Sequence, residues 1–456
     1  MQLIIRRAEI EGRGIVDVAI DNGRIVAIAD HFSDTGAREI HAEGSALIPG
    51  LWDHHIHLFG FAAALDSVAT ERIEGSDALA SALRAACAAL APNAWLRATG
   101  YDDAIAGPLD RHLLDRLVAE RPARVQYRTG SMWVLNSIAL TRLGSAPLPP
   151  GAERDARGIA TGRFFREDRW LRDHLPSTPP ALDGVARRFD AWGVIGATDA
   201  SVTTDAAAAR RIMARARDAG MRQHLMLMTG SAADHADGFT IGPVKILLDD
   251  DRLGDPNDIA RTIDAAHRAG RAAAIHCVTA GELAVALAAF DEAGVSGGDR
   301  IEHGGVIAPD GADHIARLGL TVVTQPVFIA DRGDRYLAQV DSRDLPHLYP
   351  CASLLARGIR VAGSSDAPYG GADPWAGMRS AVARETRGGA VLGDGERVAA
   401  RRALGLWLGT PQDPGGAERR VTVGSRADLC LLKVPLATML DTLSADLVAA
   451  TIIYGV

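Results

Sequence analysis

Five times the sequence ends a helix-like run with a glycine and then begins a strand. The endings are Asp218-Ala-Gly220, Arg268-Ala-Gly270, Glu292-Ala-Gly294, Arg317-Leu-Gly319 and Ala356-Arg-Gly358. Glycine just past a helix end takes the left-handed cap conformation without a Cβ penalty, so each marks an α-to-β connection. The strand-like segments that follow are Gln223–Met228, Ala273–Cys277, Arg300–His303, Thr321–Thr324 and Arg360–Gly363. Ile48–His57, Ala197–Ser201 and Val244–Leu248 bring the number to eight. Alternation at this spacing implies a parallel sheet with helices outside it. Eight strands fit a closed α/β fold, the (β/α)8 TIM-like barrel, although an open doubly wound sheet follows the same alternation.

The two ends of the chain keep a period of two instead. Val16–Ile20 and Arg24–Ile28 alternate on either side of Asp21-Asn22-Gly23, a strong hairpin signal because Asn and Gly tolerate positive φ. Ala427–Leu432 and Leu447–Tyr454 are also strand-like. The expectation is a small β-sandwich-like domain built from both termini, 1–47 with 415–456, around a barrel over 48–405. One further strand candidate, Arg124–Tyr127, falls outside the eight. It lies in a stretch too long for a simple crossover after the first barrel strand. About 70–180 is therefore expected to be an insertion overhanging the barrel, with loops at Pro147–Gly151 and Pro176–Pro180.

Composition removes several classes of function. Of 456 residues, 47% are apolar and 23% charged, enough for a large core and unlike a disordered or fibrous chain. A net charge of −8 leaves no general footprint for nucleic acid or an anionic membrane. The most lipid-like stretch, Ala272–Phe290, contains His276, Gly281 and Glu282 and reads as a strand followed by a helix. No apolar targeting segment follows Arg6 and Arg7. Cys87, Cys277, Cys351 and Cys430 are far apart with no CxxC pair, which points to a reducing cytoplasm. The partners expected are a small-molecule substrate and, at most, further copies of the chain.

The sharpest local feature is Pro49-Gly-Leu-Trp-Asp-His-His-Ile-His57. Two residues apart on a strand, His55 and His57 point to one face, and on a barrel strand that face is the interior. Two imidazoles there suit Zn²⁺ or a similar metal, whereas a buried hydrogen-bonded pair is the plainer reading. His276, His303 and Asp366 end three other strands. Singly, each has an ordinary role as a core histidine or a helix cap; together they converge on one barrel mouth. Lys245 interrupts the apolar run Gly242–Leu248, and lysine is seldom buried without a partner. It either pairs with Asp249, Asp250 or Asp251, or its neutral amine adds carbon dioxide to give a metal-bridging carbamate.

This order of HxH, strand lysine, histidine, histidine and aspartate resembles the metal-dependent amidohydrolase superfamily. The flanking text is similar to the branch of N-substituted formamide deformylase-like enzymes (amidohydrolase family 3). The matching pieces are Ile48–His57, Asn136–Leu140, Arg154–Gly162, Val244–Asp249, Arg300–Gly304, Gly363–Pro368 and Ala427-Asp-Leu. The resemblance implies two divalent metal ions, zinc in the first instance. His55, His57 and Asp366 would hold the more buried one, and His276 and His303 the other. Carboxylated Lys245 and a hydroxide would bridge them. Asp366 would serve as catalytic base and then acid while an amide-type C–N bond is cleaved. Two positions depart from the family pattern: Ser131 stands where relatives carry a histidine, and no Asp-Gly follows the lysine strand.

The nearest rival is a mononuclear aminohydrolase (deaminase). Its proton-handling glutamate has no counterpart here, because Thr279 occupies that place and Glu282 reads as a cap or helical surface. Lactone or ester hydrolysis would use the same metal pair, and a non-enzymatic scaffold would be expected to have lost the ligands. Substrate contacts are expected from Phe59, Phe61, Arg128, Ser131, Trp133, Arg163, Phe328 and Tyr369, a set suited to a partly apolar amide with an acidic or polar group.

Overall fold

A computed structural model describes residues 2–455 except 34, 35, 72, 92, 93, 145, 176–179, 203, 251 and 252. The loop expected at Pro176–Pro180 therefore lies, apart from Pro180, outside the described residues, as does Asp251. Two compact units emerge: Met1–Leu58 with Leu182–Val456, and Phe59–Ala181.

The first unit contains the eight-stranded sheet. Its strands are β1 (Leu51–Ile56), β2 (Val194–Asp199), β3 (His224–Thr229), β4 (Thr240–Ile246), β5 (Ala273–Cys277), β6 (Arg300–His303), β7 (Thr321–Thr324) and β8 (Arg360–Gly363). They pair in parallel and in sequence order. The first and last strands meet just beyond β8. There the Asp366 N–H donates to the His55 carbonyl at 2.9 Å, and the His57 N–H to the Ala367 carbonyl at 2.9 Å. This seam closes the ring, so the (β/α)8 reading holds and the open sheet does not. Helices follow the strands as the glycine endings require; Gly319, for example, caps Pro309–Leu318 at φ 72°.

The run expected as one strand, Ile48–His57, is two. Leu47–Pro49 pairs with Leu429–Leu432, itself paired with Val448–Ile452, while β1 turns into the barrel. Gly50 is the corner: a Cβ there would lie 2.1 Å from the Ile195 side chain. The opposite approach occurs at Gly196, where a Cβ would lie 2.2 Å from the Trp52 ring. Each strand therefore gives up a side chain to let its neighbour's pack.

A second sheet in this unit runs Arg24–Ala29, Gly14–Asp21, Leu3–Ile10 and Arg38–His41. One apolar core joins it to the three-stranded sheet, with Ile5, Val18 and Ile20 meeting Leu47, Leu429 and Ile452. Asp428 pins the C-terminal segment by accepting from the Tyr454 N–H at 3.0 Å and the Arg426 Nε at 2.8 Å, with His224 Nε2 also 3.0 Å away.

The second unit has its own six-stranded sheet, ordered Ala152–Arg154, Ala160–Phe165, Met132–Leu135, Ala123–Tyr127, Leu96–Tyr101 and Val68–Ala69. The leftover strand candidate is thus an inner strand of that sheet. Among the described residues no helix is long and apolar enough to cross a membrane.

Candidate metal centre

All six candidate ligands occupy the C-terminal ends of barrel strands or the residues just past them. His55 belongs to β1 and His57 follows it; Lys245, His276 and His303 belong to β4, β5 and β6; Asp366 follows β8. His303 and Asp366 have φ of 71° and 53°, the left-handed region that non-glycine residues enter at a cost of about 1–3 kcal/mol. For Asp366 the seam hydrogen bond to His55 maintains this conformation.

Asp366 is the hub. Its Oδ1 lies 3.2 Å from His57 Nε2 and 3.5 Å from His55 Nε2, and its Oδ2 3.9 Å from His303 Nδ1. The rings of His55 and His303 are 4.7 Å apart, and those of His303 and His276 4.5 Å. His55, His303 and Asp366 each present a ligand atom within 4.8 Å of the others. Lys245 is 4% exposed at the neighbouring strand end.

A second set of side chains orients these groups. Glu302 bonds His55 Nδ1 and is itself held by Arg300 Nε. Ser201 Oγ lies 3.1 Å from His57 Nδ1. Gln325 Oε1 lies 2.9 Å from His303 Nδ1, and its amide donates to Ser364 Oγ. Asp53 accepts from the Ser365 and His55 N–H groups. A partner on one imidazole nitrogen fixes the tautomer and leaves the other nitrogen for a metal. Sequence reasoning missed these residues. Their one visible signal is a carboxylate beside a candidate histidine, as in Asp53-His54-His55 and Glu302-His303.

The fit to a cation can be tested on buried polar atoms. His55 Nε2, Lys245 Nζ and Asp366 Oδ1 are buried and make no hydrogen bond. An unmet buried polar atom costs about 1–3 kcal/mol, so three among the candidate ligands are costly unless a ligand meets them. The electrostatics agree. Burial keeps His55 well below the usual imidazole range and lowers His303 to about 3 and His276 to about 2. Neutral imidazole is the form that binds metal. Burial also pulls Lys245 down, towards the neutral amine. For Asp366 burial pushes upward, but the His57 contact and the charges of His303 and His55 outweigh it and hold the carboxyl below its ordinary range. These atoms suit a divalent cation.

The plainer roles considered for Asp366 and Glu282 also resolve. Asp366 caps no helix; Asp373 does that for Pro374–Ala383. Glu282 completes a capping box with Thr279 and accepts from the Val278 and Thr279 N–H groups.

The expected substrate contacts divide. Tyr369 sets its ring edge-on to His57 at 5.4 Å. Phe328 is 2% exposed and packs on Tyr349. Phe59, Phe61, Arg128, Ser131, Trp133 and Arg163 belong to the second unit. There Trp133 is a core residue whose indole donates to Asp168. Arg128 pairs with Asp102 at 2.5 Å, Arg163 Nε donates to the Leu109 carbonyl, and Ser131 Oγ meets Thr129 Oγ1. Phe59 is half-buried on helix Leu58–Leu65, and Phe61 on the same helix is buried.

Barrel and site together define a metal-dependent (β/α)8 hydrolase. The family model described as amidohydrolase family matches residues 38–456, and the chain belongs to that family. It is an enzyme that hydrolyses carbon–nitrogen bonds other than peptide bonds. It is 25% identical over 415 residues to the protein YtcJ of Bacillus subtilis (strain 168), covering 80% of this chain and 78% of that one. It is also 25% identical over 492 residues to the N-substituted formamide deformylase of Arthrobacter pascens, covering 91% and 89%. An uncharacterized metal-dependent hydrolase from Pyrococcus furiosus has the same fold, with a TM-score of 0.70, 20% identity and coverage of 95% and 98%.

Proposed function

We propose that this chain cleaves an amide-type C–N bond of a small molecule with two divalent metal ions, zinc in the first instance. His55, His57 and Asp366 would hold one, His276 and His303 the other, and Lys245 would serve both. The observation that carries the reading is that His55 Nε2, Lys245 Nζ and Asp366 Oδ1 are all buried and without hydrogen bonds, with the first and last 3.5 Å apart and the Asp366 charge felt at Lys245. When bound, the metals supply a water acidic enough to attack near neutral pH and polarise the scissile carbonyl.

The chain's own residues do the rest. The neutral Lys245 amine attacks carbon dioxide, forms the N–C bond and releases a proton, which gives the anionic carbamate. Asp366 accepts a proton from the attacking water and returns it to the leaving nitrogen. Glu302, Ser201 and Gln325 hold the imidazoles in the tautomers that leave an in-pointing nitrogen free. Thr279 at the position of the deaminase glutamate, with Glu282 engaged in a capping box, speaks against the mononuclear deaminase. A reducing, cytoplasmic setting accords with four unpaired cysteines, three of them buried.

The test is metal per chain, by plasma mass spectrometry on protein purified without chelator or nickel, followed by an amide, ester and lactone panel. Two equivalents with amide turnover are expected. One equivalent that bicarbonate and added metal cannot raise would favour the deaminase mechanism, and turnover of lactones alone would move the reaction to C–O bonds.

A further inference from the structure

Helix Val327–Gln339 follows β7, and two consecutive residues on it, Asp331 and Arg332, reach the turn that leaves β8. Arg332 Nη2 donates to the Tyr369 carbonyl at 2.5 Å, and Asp331 Oδ2 accepts from the Gly371 N–H at 2.9 Å. A donor and an acceptor side by side thus take opposite groups of one turn, which fixes its register. Gly370 stands between them with no space to spare. A Cβ there would lie 2.5 Å from the Ser365 carbonyl oxygen and 2.7 Å from the Phe328 ring. The same Phe328 ring carries the Arg332 guanidinium carbon at 3.9 Å. Asp331 is braced by Arg387, which donates to its other oxygen at 2.6 Å.

This clamp bears on Asp366. The Tyr369 N–H donates to the Asp366 carbonyl at 2.8 Å, so the residue that Arg332 holds is the one that closes the turn. The Tyr369 ring stands edge-on to His57. Strand β1 grips the near half of the turn, through the Asp366 N–H and the Ala367 carbonyl, and the helix grips the far half. A non-glycine residue at φ 53° keeps that backbone only while its surroundings impose it. Charge works in the same direction. Burial opposes the Arg332 cation, but the Tyr336 and Tyr349 phenols and the Asp366 carboxylate outweigh it and hold the guanidinium above its ordinary range. Arg332 is therefore tied to the Asp366 turn and attracted by the Asp366 charge.

We propose that Arg332, with Asp331, is a positioning residue that sets where the Asp366 carboxylate points. The inference rests on the reading of Asp366 as proton carrier. It gives helix Val327–Gln339 a part in the reaction that runs through the turn after β8 rather than through substrate.

The experiment reads the turn itself first, by hydrogen exchange and mass spectrometry on metal-free protein. In Arg332→Met the peptide spanning 365–371 should exchange about 2–10-fold faster, the loss of one hydrogen bond, while the other barrel strands keep their protection. Asp331→Asn should loosen the same peptide less, and it carries the test should Arg332→Met fail to fold. On zinc-loaded enzyme, with the amide that the panel identifies, kcat in Arg332→Met should fall about 10–100-fold and KM change less than about threefold, as for a displaced catalytic group. Arg332→Lys keeps a donor and a charge and should recover most of the loss. In an Asp366→Asn background Arg332→Met should cost less than about threefold, because residues acting as one unit do not add. Unchanged exchange in both Arg332→Met and Asp331→Asn would overturn the proposal. So would a full loss on top of Asp366→Asn, or a loss confined to KM, the mark of a substrate contact. Faster exchange in the variants, with no amide turned over by the wild type, would keep the clamp and remove the amide reaction.

Discussion

At the scale of single residues, three outcomes follow from the roles of the side chains. Asp366→Asn keeps the shape and removes the base, so turnover should fall by about 10²–10⁴-fold while metal content stays close to wild type. Near-normal turnover would take the proton-transfer role from Asp366. Lys245→Ala should lose both metal and activity, and short carboxylic acids should restore part of each by standing in for the carbamate. An alanine variant with full activity would end the bridging role. Glu302→Gln leaves the His55 ring without its anionic partner, and metal affinity measured by competition with a chelator should drop about 10–100-fold. The candidate ligands were legible as a set because each stands at or just past the end of a strand, where an apolar core has little use for such a residue. Glu302, Gln325, Ser201 and Asp53 were not, because their importance arises only when the ends of β1, β2, β6 and β7 are gathered at one end of the same sheet.

At the scale of elements, close strand contact makes its own demand. Gly196→Ala would press a methyl group into the Trp52 ring, and an overpacked core typically loses about 1–3 kcal/mol, readable as a lower denaturant midpoint. Asp428 is the other sensitive point. Burial opposes its charge, but His224, the Tyr454 N–H and Arg426 prevail and hold it at about 2. A carboxyl held below its unfolded value of about 3.9 stabilises the fold above that pH and loses the effect as pH falls through the folded value. Asp428→Asn should therefore be less stable than wild type at neutral pH, and the two acid-unfolding curves should converge towards pH of about 2. Curves that stay parallel would show that Asp428 does not hold the C-terminal segment by charge. Legibility differed by element. The glycine-ended helices and their strands were plain, yet the break at Gly50 was not, because both halves of Ile48–His57 read as strand and the close contact of Gly50 with Ile195 shows only in the fold. The sheet of the second unit escaped for another reason: strands as short as Val68–Ala69 and Ala152–Arg154 carry too few residues to show a period.

For the whole molecule, metal and fold are one equilibrium. Ions that bind only the native site stabilise it by about 4 kcal/mol when present at a thousand times their dissociation constant. Stripping them with a chelator should lower the melting temperature by several degrees, and zinc should restore it. An unchanged melting temperature would show that the three unmet polar atoms are satisfied without a cation. The seam between β1 and β8 has a consequence of a different kind. Translation makes β1 early and Asp366 late, so a nascent chain carries His55, His57, Lys245, His276 and His303 well before the residue that ties the ring shut. Until Asp366 leaves the ribosome, the barrel has an open edge and the imidazoles face no carboxylate. On the proposed role of Asp366, a truncated product would be inert as a hydrolase, and the cell would meet this chemistry only in chains that have been read past the last barrel strand.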